Sequence, residues 1–188
     1  MKSDPRVRYT QSVIENALIS LLKTKPLEKI TVKEICEMAM INRSTFYKHY
    51  QDCYDLAERL KQRAMHDFME TLQGMKEGEA TEMITALLEK MRENSDLFHT
   101  LGRHEGEQNF INTLAVSCFA YMNEQIDVLK KMDLDESGKK MVSSYVTGGS
   151  AALIEYWLRS GCTQPAREIA AMMISMSNAL MQNLPEFI

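Results

Sequence analysis

Nowhere in this chain do apolar and polar residues alternate over the roughly four to eight positions that a half-buried strand needs. Glycine and proline are sparse, eight and four in 188 residues, so long regular segments meet few interruptions. No stretch is long and apolar enough for a membrane span, and the N-terminal MKSDPRVRYT is polar from its start. Neither a bilayer nor a signal peptide is expected. The four cysteines, Cys36, Cys53, Cys118 and Cys162, lie far apart without a CxxC pair, which argues against a zinc site and a disulfide framework. Reduced thiols in a cytoplasmic protein fit better. Catalytic signatures are missing as well: no Gly-rich phosphate loop, no nucleophile–base arrangement and no paired carboxylates in a credible cleft. No enzyme and no cofactor are expected.

What is present favours helix. Fifteen methionines and an abundance of Leu, Glu, Lys and Ala are compatible with helix almost everywhere, and a hydrophobic content of 45% suffices for a core. The expected fold class is all-α. The net charge of -4 hides an asymmetry: residues 1–63 hold 12 Lys+Arg against 8 Asp+Glu, a surplus of +4, and the remaining 125 carry -8. A basic head on an acidic body suits a nucleic-acid-binding module joined to a domain that does not bind it.

Periodicity and cap signals predict helices at about 5–23, from 31 to 39, over 43–50 and from 53 to about 73. Further helices are expected at roughly 80–93, 95–101, 107–131, 136–160 and 165–183. Pro5 after Asp4 opens the first, and Pro165 should sit in the first turn of the last. Thr31 and Glu34 form a capping box for the second helix, whose buried stripe is Val32, Ile35, Cys36 and Ala39. Asn42 caps the third, with Ile41 and Phe46 as a hydrophobic staple. The third helix is too short to hold itself up in water. Phe46 and Tyr50 are expected to anchor it, leaving Arg43, Ser44, Thr45, Tyr47, Lys48 and His49 around its outward surface. Two short helices joined by a tight turn, the second polar and basic, form a helix-turn-helix pattern, with donors for phosphates and base edges.

The segment ITVKEICEMAMINRSTFYKHYQDCYDL resembles the DNA-binding domain of TetR-family bacterial transcriptional regulators. The matching features are Thr31, Ala39, Thr45, the Phe46-Tyr47 pair, Tyr50 in the family's Phe position, and Leu56. A second stretch, SYVTGGSAALIEYWLRSGCTQPAREIAAMM, is similar to the C-terminal domain of a Gram-positive branch that includes a dihydroxyacetone-kinase regulator. The resemblance implies a helix-turn-helix domain over 1–52, joined by a connecting helix to a regulatory and dimerisation domain over 53–188. It implies that Lys33, Arg43, Ser44 and Thr45 reach base edges or nearby phosphates. Thr31, Tyr47, Lys48 and His49 would mostly hold the backbone. Two positions depart from the family pattern. Met40 stands where a turn glycine is usual, so positive φ would strain it, and Cys53 stands where a phosphate-contacting lysine is usual. A surface thiol is expected there.

In the second domain Gly148 and Gly149 interrupt a helix at about 1 kcal/mol each relative to alanine. Tyr145, Gly149, Ala152 and Tyr156 share one face, and Ile169, Met172, Met173, Met176 and Leu180 form a stripe on the last helix. These residues are either protomer core or, as the resemblance implies, a four-helix homodimer interface; the glycines alternatively mark a kink beside a pocket. Candidates for a pocket lining are Phe68, Phe98, Phe110, Phe119, Tyr121, Tyr145 and Trp157, with methionines as adaptable walls. The spacing of His99 and His104, near Asp96, Glu105 and Glu107, is poor for a metal site, and none is expected. The expected function is a dimeric regulator on a near-palindromic double-stranded operator, most simply a repressor released by a small-molecule effector. The alternatives are control by a protein partner, activation, or a degenerate member that dimerises without DNA.

Overall fold

The computed structural model describes residues 4–74, 80–102, 110–126 and 134–183, without the side chains of 99–102, 125 and 126. Among these residues the regular structure is helical, without a strand. The helices are α1 (Pro5–Leu22), α2 (Val32–Met38), α3 (Arg43–Tyr47), α4 (Cys53–Gly74) and α5 (Ala80–Glu93). They continue with α6 (Ser95–Gly102), α7 (Phe110–Ile126), α8 (Glu136–Arg159) and α9 (Ala166–Asn183). One 3-10 turn, Leu27–Lys29, lies between α1 and α2. The expected ends agree to within three residues, except for the helix expected at 107–131, of which 107–109 and 127–131 lie outside the described residues. Pro165 sits one residue ahead of α9, its carbonyl accepting from Glu168 and Ile169, and not in the first turn.

The chain divides into two compact units, Met1–His66 and Asp67–Ile188. The division falls inside α4, well after the expected 52/53 boundary. The cause is the first half of α4, where Leu56, Ala57, Leu60 and Ala64 are buried and belong with the N-terminal unit. The core of that unit is Ile14, Leu18, Ile35, Phe46 and Leu56, each with no measurable exposure.

In the second unit α5 packs along α9 and α7 along α8. α8 runs unbroken through Gly148 and Gly149, and a Cβ at either would meet nothing within 4 Å. Neither glycine is there for close packing inside the protomer. α8 ends in a Schellman turn, with Gly161 and Cys162 both at positive φ (77° and 53°) and Cys162 N donating to the Trp157 carbonyl. The lone Trp157 is fully buried and donates its indole N–H to the Gln164 carbonyl at 2.9 Å, fastening that turn to its helix.

Candidate nucleic-acid interface

The display of α3 begins with the helix before it. The Thr31 hydroxyl accepts from Glu34 N and donates to Glu34 Oε2 at 2.9 Å, while Thr31 N donates to the same oxygen at 3.0 Å. This is the predicted capping box. Glu34 also receives Lys25 Nζ at 2.5 Å, and that bond, followed by those from Thr31, lowers its pKa to about 2. The Thr31 hydroxyl has already given its one proton to Glu34, so Thr31 is a fastening for α2 before it is anything else.

α2 ends on Met40 at φ 52°, with Ile41 N donating to the Cys36 carbonyl and Met40 N to that of Glu37. These are the two bonds of a Schellman turn, built here on a non-glycine residue. The Met40 side chain is 92% exposed, so no burial repays its backbone strain. Asn42 then caps α3. Its Oδ1 accepts from Thr45 N at 2.8 Å, from the Ser44 hydroxyl at 2.6 Å and from the Thr45 hydroxyl at 2.8 Å. Both hydroxyl protons point back to Asn42, which leaves oxygen lone pairs to face outward as acceptors. An acceptor surface beside the cationic donor of Arg43 can address both kinds of group on base edges.

Phe46 is fully buried and Tyr50 nearly so, as expected of anchors, with ring centroids 5.8 Å apart. Phe46 meets Tyr47 edge-on at 5.6 Å, so Tyr47 is held at its base while 57% of it stays exposed. Arg43, Ser44, Lys48 and Lys33 are exposed, and Thr45 and His49 are half-buried. Lys33 makes only an exposed pair with Glu37 at 3.7 Å, which costs little to exchange for a phosphate. All the predicted DNA-facing residues are thus on α2 and its N-cap, on α3 and on the residues just after it, in one unit.

The sequence reading missed what fixes the end of this segment. The Tyr50 hydroxyl donates to Glu15 Oε1 at 2.9 Å, and Arg63 of α4 also pairs with Glu15. Arg59 lies over the Tyr50 ring, 5.7 Å from its centroid. Burial, then the Glu15 carboxylate, pushes the phenol well above its ordinary pKa, so Tyr50 stays a neutral donor. Glu15 ties α1, α4 and the end of the α3 segment together. The signal available was an acidic residue inside the apolar run Ile14, Ala17, Leu18. Cys53 corrects a second expectation: it is buried, not a surface thiol, and burial raises its pKa.

The second unit holds a partly open cavity of about 230 Å³ between the end of α4 and helices α5, α7, α8 and α9. Of the predicted lining residues, Phe68 and Phe119 are on its wall. Phe98 and Phe110 are not on it: their rings stack on each other, with centroids 6.3 Å apart. Tyr121 is absent from the wall, Trp157 is packed beyond it, and Tyr145 is 70% exposed on the opposite face of α8. The proposed interface residues fall in two groups. Tyr145, Gly149, Ala152, Tyr156, Met172 and Met176 are exposed and Leu180 is half-buried, whereas Ile169 and Met173 are buried in the protomer. Four-residue spacing from Ile169 to Met173 follows the inner face of α9, and Met172 to Met176 its outer face; the predicted stripe merged the two. His104, Glu105 and Glu107 lie outside the described residues, as does the His99 side chain. Among the described residues no group of His, Cys, Asp and Glu could hold a metal.

A closely packed helix-turn-helix unit presenting a short cationic helix, followed by a helical unit with a cavity, is the architecture of a helix-turn-helix transcriptional regulator. The TetR-type family model for a "Transcriptional regulator C-terminal region" matches residues 78–179, more than half of the sequence. The chain belongs to the TetR family of transcriptional regulators. A relative from Bacillus subtilis (strain 168), the uncharacterized HTH-type transcriptional regulator YxbF, is 26% identical over 178 residues. The match covers 89% of this chain and 44% of YxbF, so the chain spans less than half the length of that relative. Among solved structures, a TetR transcriptional regulator from Streptococcus agalactiae 2603V matches with TM-score 0.67 and 20% identity, over 92% of this chain and 95% of its own. The dihydroxyacetone kinase operon activator DhaS matches with TM-score 0.62 and 18% identity, over 92% and 96%. Both show the fold. Among the described residues no helix is long and apolar enough to cross a membrane.

Proposed function

We propose that the protein is a homodimeric, sequence-specific DNA-binding regulator of a near-palindromic operator, acting in the cytoplasm as a repressor that a small molecule releases. The carrying observation is the capped, doubly anchored α3, which holds Arg43, Ser44, Thr45, Tyr47 and Lys48 outward on a fully packed base. Arg43 and the outward lone pairs of Ser44 and Thr45 read base edges. Lys33, Tyr47, Lys48 and His49 hold phosphates, and Thr31 positions α2. The second copy docks on the exposed stripe of Tyr145, Gly149, Ala152, Tyr156, Met172 and Met176, where exposed glycines allow helices to approach closely. Two half-sites then add their contacts. The cavity favours a small-molecule effector over a protein partner, for which a filled interior would serve as well. The activator DhaS shares the fold, so a promoter–reporter measurement decides the sign of regulation.

The test is selection from random duplex DNA, followed by affinity across a salt series. An inverted repeat is expected, with log affinity falling by about 0.9 per decade of salt for each neutralised phosphate. Arg43→Ala should cost about 1–3 kcal/mol on the selected site and relax specificity locally, while Lys48→Ala weakens binding on all sequences alike. No enrichment from folded dimer would discard the reading.

A further inference from the structure

Five arginines lie in the N-terminal unit, and two of them are held by acids: Arg59 pairs with Asp55 at 2.8 Å and Arg63 with Glu15. Arg43 belongs to α3. Arg6 and Arg8, near the start of α1, are exposed, and among the described residues neither side chain has an ion pair or hydrogen bond. The carboxylate of Asp4 is turned to the backbone, accepting from Arg6 N at 2.9 Å. Position decides whether such a pair of cations is more than a solvated face.

Lys25, just past the end of α1, pairs with Glu34 in the first turn of α2, so α2 runs back along α1 from its far end. The groove between them is lined by Tyr9, Thr10 and Val13 of α1 and by Met38, Met40 and Ile41 at the turn that leads into α3. Arg6 precedes those three α1 residues by three, four and seven positions, and so heads the stripe that faces that turn. Arg8 precedes Gln11, Ser12 and Glu15 by the same intervals, and Glu15 receives the Tyr50 hydroxyl at the other end of the α3 segment. The two arginines therefore head the two stripes of α1 that meet the entry and the exit of the short helix.

The start of α4 carries the opposite charge. Asp52 accepts from Tyr54 N and Asp55 N, each at 2.8 Å, and Asp55 accepts from Gln51 N at 2.9 Å. Cys53 between them is buried. Two carboxylates in one turn repel a phosphate. Of the starts of α1 and α4, only that of α1 carries unpaired cations.

We propose that Arg6 and Arg8 grip two backbone phosphates of each operator half-site, outside the bases that α3 addresses, as a DNA-binding element additional to the helix-turn-helix. This deepens the DNA reading above and rests on it. A guanidinium meets a phosphate with two parallel N–H donors. Such a contact fixes the register of the unit on the duplex and carries no sequence information.

The experiment measures affinity of the full chain and of R6Q, R8Q and R6Q/R8Q across a salt series, on the duplex selected from random DNA and on a random duplex. Each phosphate contact contributes about 0.9 to the slope of log affinity against log salt, and a dimer loses two contacts with each arginine. Each single variant should therefore flatten the slope by about 1.8. The double variant should bind at least about tenfold more weakly, by the same factor on both duplexes. R6K/R8K should restore most of the slope. Neither side chain is buried or paired, so urea midpoints should stay where they are. A second measurement uses the unmodified chain: neutral methylphosphonate linkages, scanned through the flanks of the selected duplex, should weaken its binding at two phosphates per half-site. The double variant should be indifferent to the same linkages. An unchanged slope in the double variant would overturn the proposal, as would an unmodified chain insensitive to the flanking linkages. A loss confined to particular base pairs would overturn it too, since the arginines would then read a groove and not the backbone. If the unmodified chain selects no duplex, the DNA reading and this proposal fall together. If it selects one and the double variant matches it, only this proposal falls.

Discussion

The two units solve opposite problems with the same helices. The N-terminal unit must hold a helix of five residues at a fixed angle, and its core residues Ile14, Leu18, Ile35, Phe46 and Leu56 leave no measurable exposure. Its polar network is closed: capping box, Asn42 cap and the Glu15 junction. The second unit instead leaves about 230 Å³ open, lined chiefly by aliphatic residues with four methionines among them. Close packing makes a surface precise, while a soft, hollow interior lets a ligand change the balance between arrangements. The proposed division of labour between reading and sensing would therefore also be a division in packing.

The largest expected effect breaks the precise side. Phe46→Ala should destabilise by about 3–5 kcal/mol in urea titration, because a tightly packed site collapses poorly around the void. Met173→Ala, on the cavity wall, should cost less than Phe46→Ala because its neighbours already border open space. Equal losses would mean that the two cores are packed alike. Next in size is Tyr50→Phe, which removes the hydroxyl bond to the buried Glu15 carboxylate and leaves that group short of a donor. About 1.5–3 kcal/mol of stability should go with it. Operator affinity should fall too, although Tyr50 touches no DNA in the proposed complex.

Much of this was legible because the signals were local. Asp4-Pro5, Thr31-x-x-Glu34 and Asn42 are helix starts whose chemistry lies within three residues, and each is a cap in the structure. The fate of Phe46 and Tyr50 followed from helical spacing alone. What escaped involved distant partners or two-sided helices. Glu15 meets Tyr50 across 35 residues and Arg63 across 48, and no window on the sequence joins them. The stripe on α9 was split between outside and inside because methionine suits both. Aromatic residues misled in the same way: Phe98 and Phe110 satisfied each other. The cavity is lined chiefly by aliphatic residues and methionines, whose spacing is that of any core.

Two smaller effects sharpen the comparison from within the reading unit. Glu34 carries the capping box, and Lys25 followed by Thr31 lowers its pKa from 4.5 to about 2. Its folded-state pKa lies below the unfolded one, so its contribution is complete above about pH 4.5 and disappears as pH falls towards 2. Wild type should therefore lose stability across that window more steeply than Glu34→Gln. The difference should be modest, since the carboxylate is solvent-exposed and its ion pair is screened. Identical acid profiles would remove Glu34 from the fastening of α2.

Met40→Gly is the smallest effect and the one whose sign is most informative. A non-glycine residue at φ 52° carries strain of about 1–2 kcal/mol, and glycine would remove it. Glycine also loosens the unfolded chain, at a cost of about 0.4–1 kcal/mol. With 92% of Met40 exposed, little burial is lost, so the net should be a gain of between zero and about 1.6 kcal/mol. Urea titration measures it. The Schellman bonds to Cys36 and Glu37 use backbone atoms alone, so the turn and the direction of α3 should survive, and operator affinity with them. A loss of stability would mean that the methionine side chain contributes through the shallow groove it shares with Tyr9 and Met38. A gain in stability with a loss of affinity would mean that the strained turn is part of how the reading helix is aimed.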